Sequence, residues 1–431
     1  MHRFPAKRFS GRALGLITAV LLAACGVAPR APAPTEWKAA WGSAQLPQPP
    51  IAAANVPAPL QQPLRDVSLR QVVRTTVAGD TLRVRVSNLF GREPLQLDVA
   101  SVALVQPGTE TGRPALQAGS LRPLSFQGRR ELTIAPGAEA WSDPVSLALP
   151  RLADVAVQMH VVAAPSVATV HPGSRISSWA WAGNHADMTD WPDAIAKDGW
   201  WHLAAIDVAG GAPAQPVLVA IGDSITDGYG VQSGSYLRWT DALARRLGAP
   251  GRTSAVINTG IGGNRILHDG LGPSLVSRFE RDALAQSGVT HIVLLEGVND
   301  LGSSHRQRAT TPESRAALLA ELQQALGTLA GQARQRGVCL FVATVMPYGG
   351  SGYYQPQPEN EADRQALNAW IRQPGRFDAV LDFDAITRDP AKPSHLRRDL
   401  DNDGLHPSTT GYQAMADAFP LEWLDRRCAV R

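Results

Sequence analysis

The sequence is poor in cysteine, in long apolar runs and in clustered basic charge. Only three cysteines occur among its 431 residues. Beyond the N-terminal segment, no apolar run approaches the roughly 20 residues that a transmembrane helix needs. No basic stripe of the kind that binds nucleic acid is present. These absences argue against a membrane-spanning protein and against a nucleic-acid-binding one.

The N-terminus has the pattern of an export signal. A basic segment precedes an apolar run over residues 13–24, which is too short to span a bilayer as a helix. Leu22-Ala-Ala-Cys25 matches a lipobox, in which cleavage leaves Cys25 as the lipid-modified first residue. A soluble export signal with an incidental cysteine is the alternative. We predict a lipoprotein signal peptide over 1–24, a membrane anchor at Cys25 and a location at the cell envelope (the outer membrane, if the cell has two membranes).

Removal of this signal would change the formal net charge of the chain. It would leave Cys339 and Cys428 as the two cysteines whose bonding has to be predicted. Residues 1–24 contain four basic side chains and no acidic ones, so the formal net charge of +3 would become −1. Exported proteins meet oxidising conditions, in which a disulfide between Cys339 and Cys428 would persist. Cys339 also lies in an apolar run and is equally consistent with a buried thiol. The sequence leaves both possibilities open.

The first half of the chain has the pattern of β-strands. Residues 25–36 are rich in Pro and Ala and are typical of a tether. Between residues 37 and 213, Thr81-Leu-Arg-Val-Arg-Val-Ser-Asn88 alternates strictly between apolar and polar side chains, as a half-buried strand does. Similar runs, separated by Pro, Gly and Asp turns, are Val67 to Thr75, Val99 to Val105, Trp141 to Leu149 and Val155 to Val162. We predict an all-β sandwich or jelly-roll-like domain.

The second half, residues 214–431, alternates between apolar strands and amphipathic helices. The predicted strands begin near Val217, Ala255, His291, Val338 and Ala379, and the predicted helices are Tyr236 to Leu247, Pro312 to Arg336, Glu361 to Ile371 and Thr409 to Leu424. Short, wholly apolar strands are typical of a parallel sheet that is covered on both faces. This order predicts a three-layer α/β fold with right-handed crossovers.

Four short blocks in this half carry side chains suited to acyl transfer. They are Gly222-Asp-Ser224, Gly260-Ile-Gly-Gly-Asn264, Gly297-Val-Asn-Asp300 and Asp403-Gly-Leu-His-Pro407. The first three follow predicted parallel strands, and ligands bind at the carboxyl ends of such strands. A serine hydroxyl needs a neighbouring imidazole to accept its proton, and the imidazole needs a carboxylate to orient it. The order of the four blocks favours a hydrolytic site over the reading of each as a turn or a helix cap.

These blocks resemble those of the SGNH hydrolases, also called the GDSL esterase/lipase family, some secreted members of which carry a β-rich N-terminal region. The resemblance implies that Ser224 is the nucleophile, that His406 is its base and that Asp403 orients the histidine. It also implies an oxyanion hole made by the N–H groups of Ser224 and Gly263 and by the amide of Asn299. Gly262 is the alternative to Gly263, since the glycine run leaves the register open by one residue.

Other interpretations of these blocks involve metals or phosphates. Asp399-Leu-Asp-Asn-Asp-Gly404 resembles the start of a calcium loop, but Thr410 stands where the twelfth position needs glutamate. Asp399 and Asp401 are the alternatives to Asp403 as the partner of His406. No Gly-Lys-Ser/Thr follows the glycine run, which argues against a phosphate loop. We therefore expect neither a metal nor an organic cofactor.

The predicted function is that of a serine esterase that acts on a small-molecule or glycan ester, with short acyl groups or acetylated glycans favoured. Two alternatives remain at this point. The chain could be an envelope lipoprotein that binds glycans, with a vestigial hydrolase domain. It could also transfer the acyl group to a sugar acceptor, because the shape of the pocket chooses between water and a sugar.

Overall fold

The computed structural model describes residues 36–48, 58–109, 112–211, 216–248, 253–307 and 310–430. The predicted signal peptide, Cys25 and all but the last residue of the predicted tether lie outside these ranges. Within the described ranges, none of the helices combines the length and the apolar character that crossing a bilayer requires.

Antiparallel strands make up the described residues before position 212. They are β1 (Lys38–Gly42), β2 (Leu46–Gln48), β3 (Arg65–Arg74), β4 (Gly79–Ser87), β5 (Leu95–Leu104), β6 (Arg122–Pro123), β7 (Leu132–Ile134), β8 (Glu139–Trp141), β9 (Val145–Leu149), β10 (Asp154–Ala163), β11 (Ala168–His171), β12 (Ser177–Ala182), β13 (Ile195–Asp198), β14 (Trp200–Trp201) and β15 (Leu203–Ala209). This part is called the β region below.

The β region contains three sheets. One has the strand order β1-β15-β4-β8, with β9 also paired to β4, and a second has the order β13-β12-β3-β10-β5-β6, with β7 paired to β5. The third is the short sheet β14-β11-β2. Strand β4 confirms the predicted alternation, because Leu82, Val84 and Val86 are fully buried. The mostly antiparallel architecture agrees with the predicted all-β class.

One predicted strand is wrong. The run from Trp141 to Leu149 forms two short strands, β8 and β9, that pair separately with β4. Pro144 lies between them and lacks the N–H group that a continuous ladder needs. The Asp143 side chain also accepts hydrogen bonds from the N–H groups of Gln127 and Gly128, at 3.0 and 2.8 Å, which fixes the break as a turn.

The second half of the chain forms one parallel sheet. Its strands are β16 (Val217–Gly222), β17 (Ala255–Gly260), β18 (Val289–Leu295), β19 (Cys339–Ala343) and β20 (Ala379–Leu381). Their order is β17-β16-β18-β19-β20, and all four pairings are parallel. The predicted α/β fold class is confirmed.

Helices connect and cover these strands. They are α1 (Ser224–Asp227), α2 (Trp239–Arg246), α3 (Leu275–Phe279), α4 (Val298–Gln307), α5 (Pro312–Gln335), α6 (Pro358–Ile371), α7 (Phe383–Thr387) and α8 (Thr409–Asp417). Helices α2, α7 and α8 pack together as one group, while α3, α4, α5 and α6 form another. The predicted helix from Thr409 to Leu424 is shorter than expected, because Pro420 interrupts it before a separate turn at Leu421–Asp425.

The β region covers one edge of the parallel sheet. Strand β17 is an edge strand, and β1 packs beside it. The Val256 N–H donates to Thr76 Oγ1 at 3.0 Å, and the Ala39 N–H donates to the Ser287 carbonyl at 2.9 Å. Residues Glu36–Arg431 thus form one compact unit. The domain boundary predicted near residue 213 stays a prediction.

A disulfide joins the start of β19 to the C-terminal segment. The sulfur atoms of Cys339 and Cys428 are 2.05 Å apart, and 89 positions separate the two residues in sequence. Cys339 is buried within the parallel sheet. The bond therefore ties the C-terminal segment to an interior strand of the sheet.

Replacement of both Cys339 and Cys428 by alanine should lower the free energy of unfolding by about 2–4 kcal/mol, because a cross-link over so long a loop restricts the unfolded chain. Denaturation by guanidinium measures this loss. Reduced wild-type protein is the control and should lose a similar amount. Two free thiols in the non-reduced, unfolded wild type would contradict the prediction.

Candidate active site

Ser224 follows the carboxyl end of β16, an interior strand of the parallel sheet. All six residues of β16 are buried, and its last residue, Gly222, lies so close to β18 that an added Cβ would be 2.2 Å from the Leu295 carbonyl oxygen. Asp223 caps helix α1 by accepting the Ile225 N–H at 2.9 Å. Ser224 is therefore the first residue of α1, and the two residues before it, Gly222 and Asp223, fix the direction in which the chain enters this helix.

The structure brings Ser224, His406 and Asp403 together, although 182 positions separate the serine from the histidine. The distance from Ser224 Oγ to His406 Nε2 is 2.8 Å. The distance from His406 Nδ1 to Asp403 Oδ2 is 2.9 Å, and the other Asp403 oxygen accepts the His406 N–H at 2.8 Å. Since the carboxylate can only accept, Nδ1 carries the proton and Nε2 is free to accept from the serine.

Burial and hydrogen bonding shift the pKa values of His406 and Asp403 in directions that suit a general base. Burial lowers the pKa of His406 below its ordinary value, although Asp403 opposes this shift. Burial alone would raise the pKa of Asp403, but the hydrogen bonds from His406 outweigh it and hold that pKa below its usual value. At neutral pH the pair is therefore a neutral imidazole beside an ionised carboxylate, the state that a general base needs.

The other aspartates of the predicted calcium loop have different partners. Asp399 pairs with Arg397 at 2.6 Å on the surface, and Asp401 accepts the Gly404 N–H at 2.7 Å. Neither hydrogen-bonds to His406. Within the described ranges, no group of three or more His, Cys, Asp or Glu side chains is arranged to hold a metal ion.

The second block forms a tight turn after β17. The Asn264 N–H donates to the Ile261 carbonyl at 3.1 Å, so Gly262 and Gly263 are the central residues of the turn. Gly263 has φ +72°, which a type II turn requires at its third position and which favours glycine. An added Cβ there would also lie 2.5 Å from Leu271 Cδ1. These constraints explain the glycine at 263.

Asn299, near the start of α4, has a fixed amide orientation. Its Nδ2 donates to the Asn264 carbonyl at 2.7 Å, and its Oδ1 accepts the Tyr354 hydroxyl at 2.6 Å. Because a carbonyl oxygen can only accept, nitrogen and oxygen cannot be exchanged. The second proton on Nδ2 is left for another acceptor. Tyr354 lies in the loop after β19.

Four hydrogen-bond donors in the residues that follow β16, β17 and β18 remain available to a substrate. Within the part of the chain that the structure describes, the backbone N–H groups of Ser224, Gly262 and Gly263 donate to no protein acceptor. Together with the Asn299 amide they are the donors expected of an oxyanion hole. Both glycines have a free N–H, so the choice between them stays a prediction.

Residues 220–414 match the model of the GDSL-like Lipase/Acylhydrolase family. The chain contains a GDSL-like lipase/acylhydrolase domain. This confirms the resemblance seen in the sequence, and the β region that precedes the domain is consistent with it. No curated protein matches the chain.

Several solved structures are similar to about half of this chain. A GDSL-like lipase from Bacteroides thetaiotaomicron is 18% identical, with 48% of this chain and 88% of that chain covered and a TM-score of 0.36. An acetylxylan esterase from Geobacillus stearothermophilus is 21% identical, with 47% and 91% covered and a TM-score of 0.35. A lipase/acylhydrolase from Enterococcus faecalis is 24% identical, with 50% and 100% covered and a TM-score of 0.36.

A buried arginine that the sequence did not single out holds the strand ends of the GDSL-like domain together. Arg278, on α3, is fully buried. Its guanidinium donates to the Gly222 carbonyl at 2.9 Å, to the Thr259 carbonyl at 2.7 Å and to Asn264 Oδ1 at 2.8 Å. The same side chain thus ties the strand before Ser224 to the turn that contains Gly263.

Buried acids lie next to this arginine. Glu296 Oε2 is 3.7 Å from Arg278, and neither carboxyl oxygen of Glu296 has a hydrogen-bond partner among the described residues. Burial raises the pKa of Glu296 well above its usual value, although the positive charge of Arg278 opposes this shift. Burial also raises the pKa of Asp300 to about 6, although the Ile266 and Leu267 N–H groups oppose it. Asp300 accepts those two N–H groups at 2.8 and 3.1 Å and holds the chain after the turn.

Replacement of Arg278 by methionine should lower the free energy of unfolding by about 3–5 kcal/mol, because it leaves buried acceptors without donors. Denaturation by urea measures the loss. Arg281→Met is the matched control on the next turn. Its ion pair with Asp282 is partly exposed, so we expect a loss below about 1 kcal/mol. Equal losses for the two variants would contradict the proposed importance of Arg278.

Proposed function

We propose that the protein is a serine esterase, which cleaves carboxylic ester bonds through an acyl-enzyme on Ser224. The observation that carries this proposal is the chain of two hydrogen bonds from Ser224 to His406 and from His406 to Asp403, at 2.8 and 2.9 Å. The GDSL-like lipase/acylhydrolase match supports ester hydrolysis in general. The mechanism and the substrate below are part of the proposal.

In the first half of the reaction, Ser224 Oγ attacks the ester carbonyl while His406 Nε2 accepts the hydroxyl proton. Asp403 holds the imidazole in place and stabilises the imidazolium. The carbonyl oxygen becomes an oxyanion, which would accept from the Ser224 and Gly263 N–H groups and from the Asn299 amide. When the tetrahedral intermediate collapses, His406 gives its proton to the leaving alcohol, and the acyl group stays on Ser224.

In the second half, water replaces the alcohol. His406 removes a proton from the water as it attacks the acyl carbonyl, and it then returns a proton to Ser224 Oγ. The carboxylic acid leaves, and the free serine is restored. No step needs a metal or an organic cofactor.

Short acyl groups, such as those on acetylated glycans, are the substrates that we favour. Leu271 lies next to Gly263, and the Tyr354 hydroxyl donates to Asn299. We propose that these two side chains, at the proposed oxyanion hole, limit the room for a long acyl chain. The glycan-binding alternative gains no support from the tryptophans at 191, 200 and 201, because all three are buried.

Replacement of Ser224 by alanine should lower kcat for a p-nitrophenyl acetate substrate by about 10⁴- to 10⁶-fold, because the nucleophile is lost. Initial rates measure this change. Ser277→Ala is the matched control, since that hydroxyl is exposed on α3 and should be dispensable. A fluorophosphonate probe should label the wild type and Ser277→Ala but not Ser224→Ala. Undiminished turnover by a folded Ser224→Ala protein would refute the proposal.

We further propose that the mature protein is anchored to the cell envelope through lipid on Cys25. Cys25→Ala should abolish incorporation of labelled fatty acid and release the protein from the membrane fraction, because the acylated position is gone. Wild-type protein from the same host is the control. A label that persists in Cys25→Ala, or a wild type that carries none, would overturn the anchor but would leave the esterase proposal untouched.

A further inference from the structure

A loop of the β region lies directly on the helix that carries Ser224. This loop, residues 172–176, connects β11 to β12. At its start, His171 Nε2 is 3.0 Å from Asp227 Oδ1 on α1. Gly173 lies so close that an added Cβ would be 2.0 Å from Asp227 Oδ2. The β region therefore supplies part of the surface next to the candidate active site.

Arg175 occupies this loop in an unusual backbone conformation. Its φ is +51°, in the left-handed region that few residues other than glycine adopt. The Gly234 N–H donates to the Arg175 carbonyl at 2.8 Å, which joins the loop to the segment that follows α1. A bulky side chain held in this conformation beside a reactive site suggests a role other than folding.

The Arg175 guanidinium makes few polar contacts with the described residues. Its side chain is 27% exposed, and its ion pair with Asp227 has a separation of 3.6 Å. The guanidinium donates a hydrogen bond to no described residue. An arginine presents five N–H donors in a planar fork that matches a carboxylate. Most of that capacity is free here.

The Asp227 carboxyl group is shared between His171 and Arg175. Its Oδ1 lies 3.0 Å from His171 Nε2, and its Oδ2 lies 3.6 Å from the Arg175 guanidinium. The second distance is too long for a hydrogen bond. The N–H donors of Arg175 therefore remain available to an anionic group of a substrate.

Arg175 lies on the side of the site from which the alcohol leaves. Tyr229 stacks on the His406 ring, with centroids 4.1 Å apart, and its side chain is 45% exposed. The Arg175 Cζ atom lies 5.7 Å from the centre of the Tyr229 ring. Because His406 must give its proton to the leaving oxygen, the alcohol part of the ester has to lie beside this histidine. Tyr229 and Arg175 are the groups that it would then meet.

We propose that Arg175 and Tyr229 form a subsite for an alcohol part that carries a negative charge beside a ring or another flat group. This inference rests on the proposed function and deepens it. Tyr229 packs against the ring, and Arg175 binds the anionic group. Acidic sugars that bear an ester combine these two features. Neither residue takes part in bond making, so both are specificity-determining.

Two esters with the same acyl group and similar shape test the subsite. The first, 4-acetoxybenzoate, has an anionic alcohol part, and the second, 4-acetoxybenzamide, has a neutral one. The readout is the ratio of kcat/KM for the anionic ester to kcat/KM for the neutral ester. In Arg175→Gln this ratio should fall about tenfold relative to the wild type, mainly through KM, because one charge-assisted contact is lost. Arg175→Lys should keep part of the preference.

Arg306→Gln is the matched control. Arg306 is also exposed and lies over a tyrosine, with its Cζ 4.3 Å from the centre of the Tyr353 ring. It is located beyond Asn299 on α4, on the oxyanion side of the site. The variant removes the same charge from the protein, so it corrects for a general electrostatic effect. Its ratio should equal that of the wild type.

A pH profile gives a second readout that a merely structural role would not produce. The positive charge of Arg175 is one cause, after burial, of the lowered pKa of His406. Since His406 must be neutral to accept a proton, kcat/KM falls as the pH drops through this pKa. The acidic limb of the profile should therefore move to higher pH in Arg175→Gln and stay in place in Arg306→Gln.

An unchanged ratio in Arg175→Gln, with the neutral ester still hydrolysed, would overturn the subsite and leave the esterase proposal standing. An equal fall in Arg306→Gln would also overturn it. If the wild type hydrolyses neither ester and Ser224 is not labelled by fluorophosphonate, then the proposed function fails and the subsite fails with it.

Discussion

The candidate active site depends on the guanidinium of Arg278, which meets three acceptors that no other described side chain brings together. A serine, a glycine turn and an asparagine on three separate strand ends must stay aligned to within fractions of an ångström if they are to act on one carbonyl. Arg278 donates to the carbonyls of Gly222 and Thr259 and to the side chain of Asn264. The buried carboxyl groups of Asp282 and Glu296 lie 3.3 and 3.7 Å from the same guanidinium.

The β region takes part in the site as well as preceding it in sequence. Its 172–176 loop is held against α1 by His171 and by the close approach of Gly173. The GDSL-like domain contains Ser224, His406 and Asp403, and the β region contributes surface next to the helix that carries Ser224. Variation in a short loop of this kind could alter which alcohol is accepted without disturbing Ser224, His406 or Asp403.

The sequence predicted the architecture well where hydrophobic periodicity is strong. The apolar strands of the second half and the long helix α5 were placed close to their observed bounds. The predicted strand over Trp141 to Leu149 was wrong because Pro144 interrupts it. The short helices α1, α3 and α7, of four or five residues each, were missed because so few residues give little periodicity. Arg175 and Arg278 had no signal in the sequence, because their partners lie far away along the chain. Arg278 and Gly222, for example, are 56 positions apart. Proximity of that kind arises only once the sheet has formed.

The contact between Thr76 and Val256 affects whether the second half of the chain can be produced as a separate fragment. Strand β17 ends the parallel sheet, and an uncovered edge strand presents a row of unpaired N–H and C=O groups that can recruit a strand from another molecule. The β region shields this edge by placing a threonine hydroxyl and strand β1 against it. A fragment that begins at Val217 would keep every residue of the GDSL-like blocks, yet it would lose this shield and be prone to self-association. The N-terminal half would thus limit aggregation of the GDSL-like domain by covering its edge strand β17.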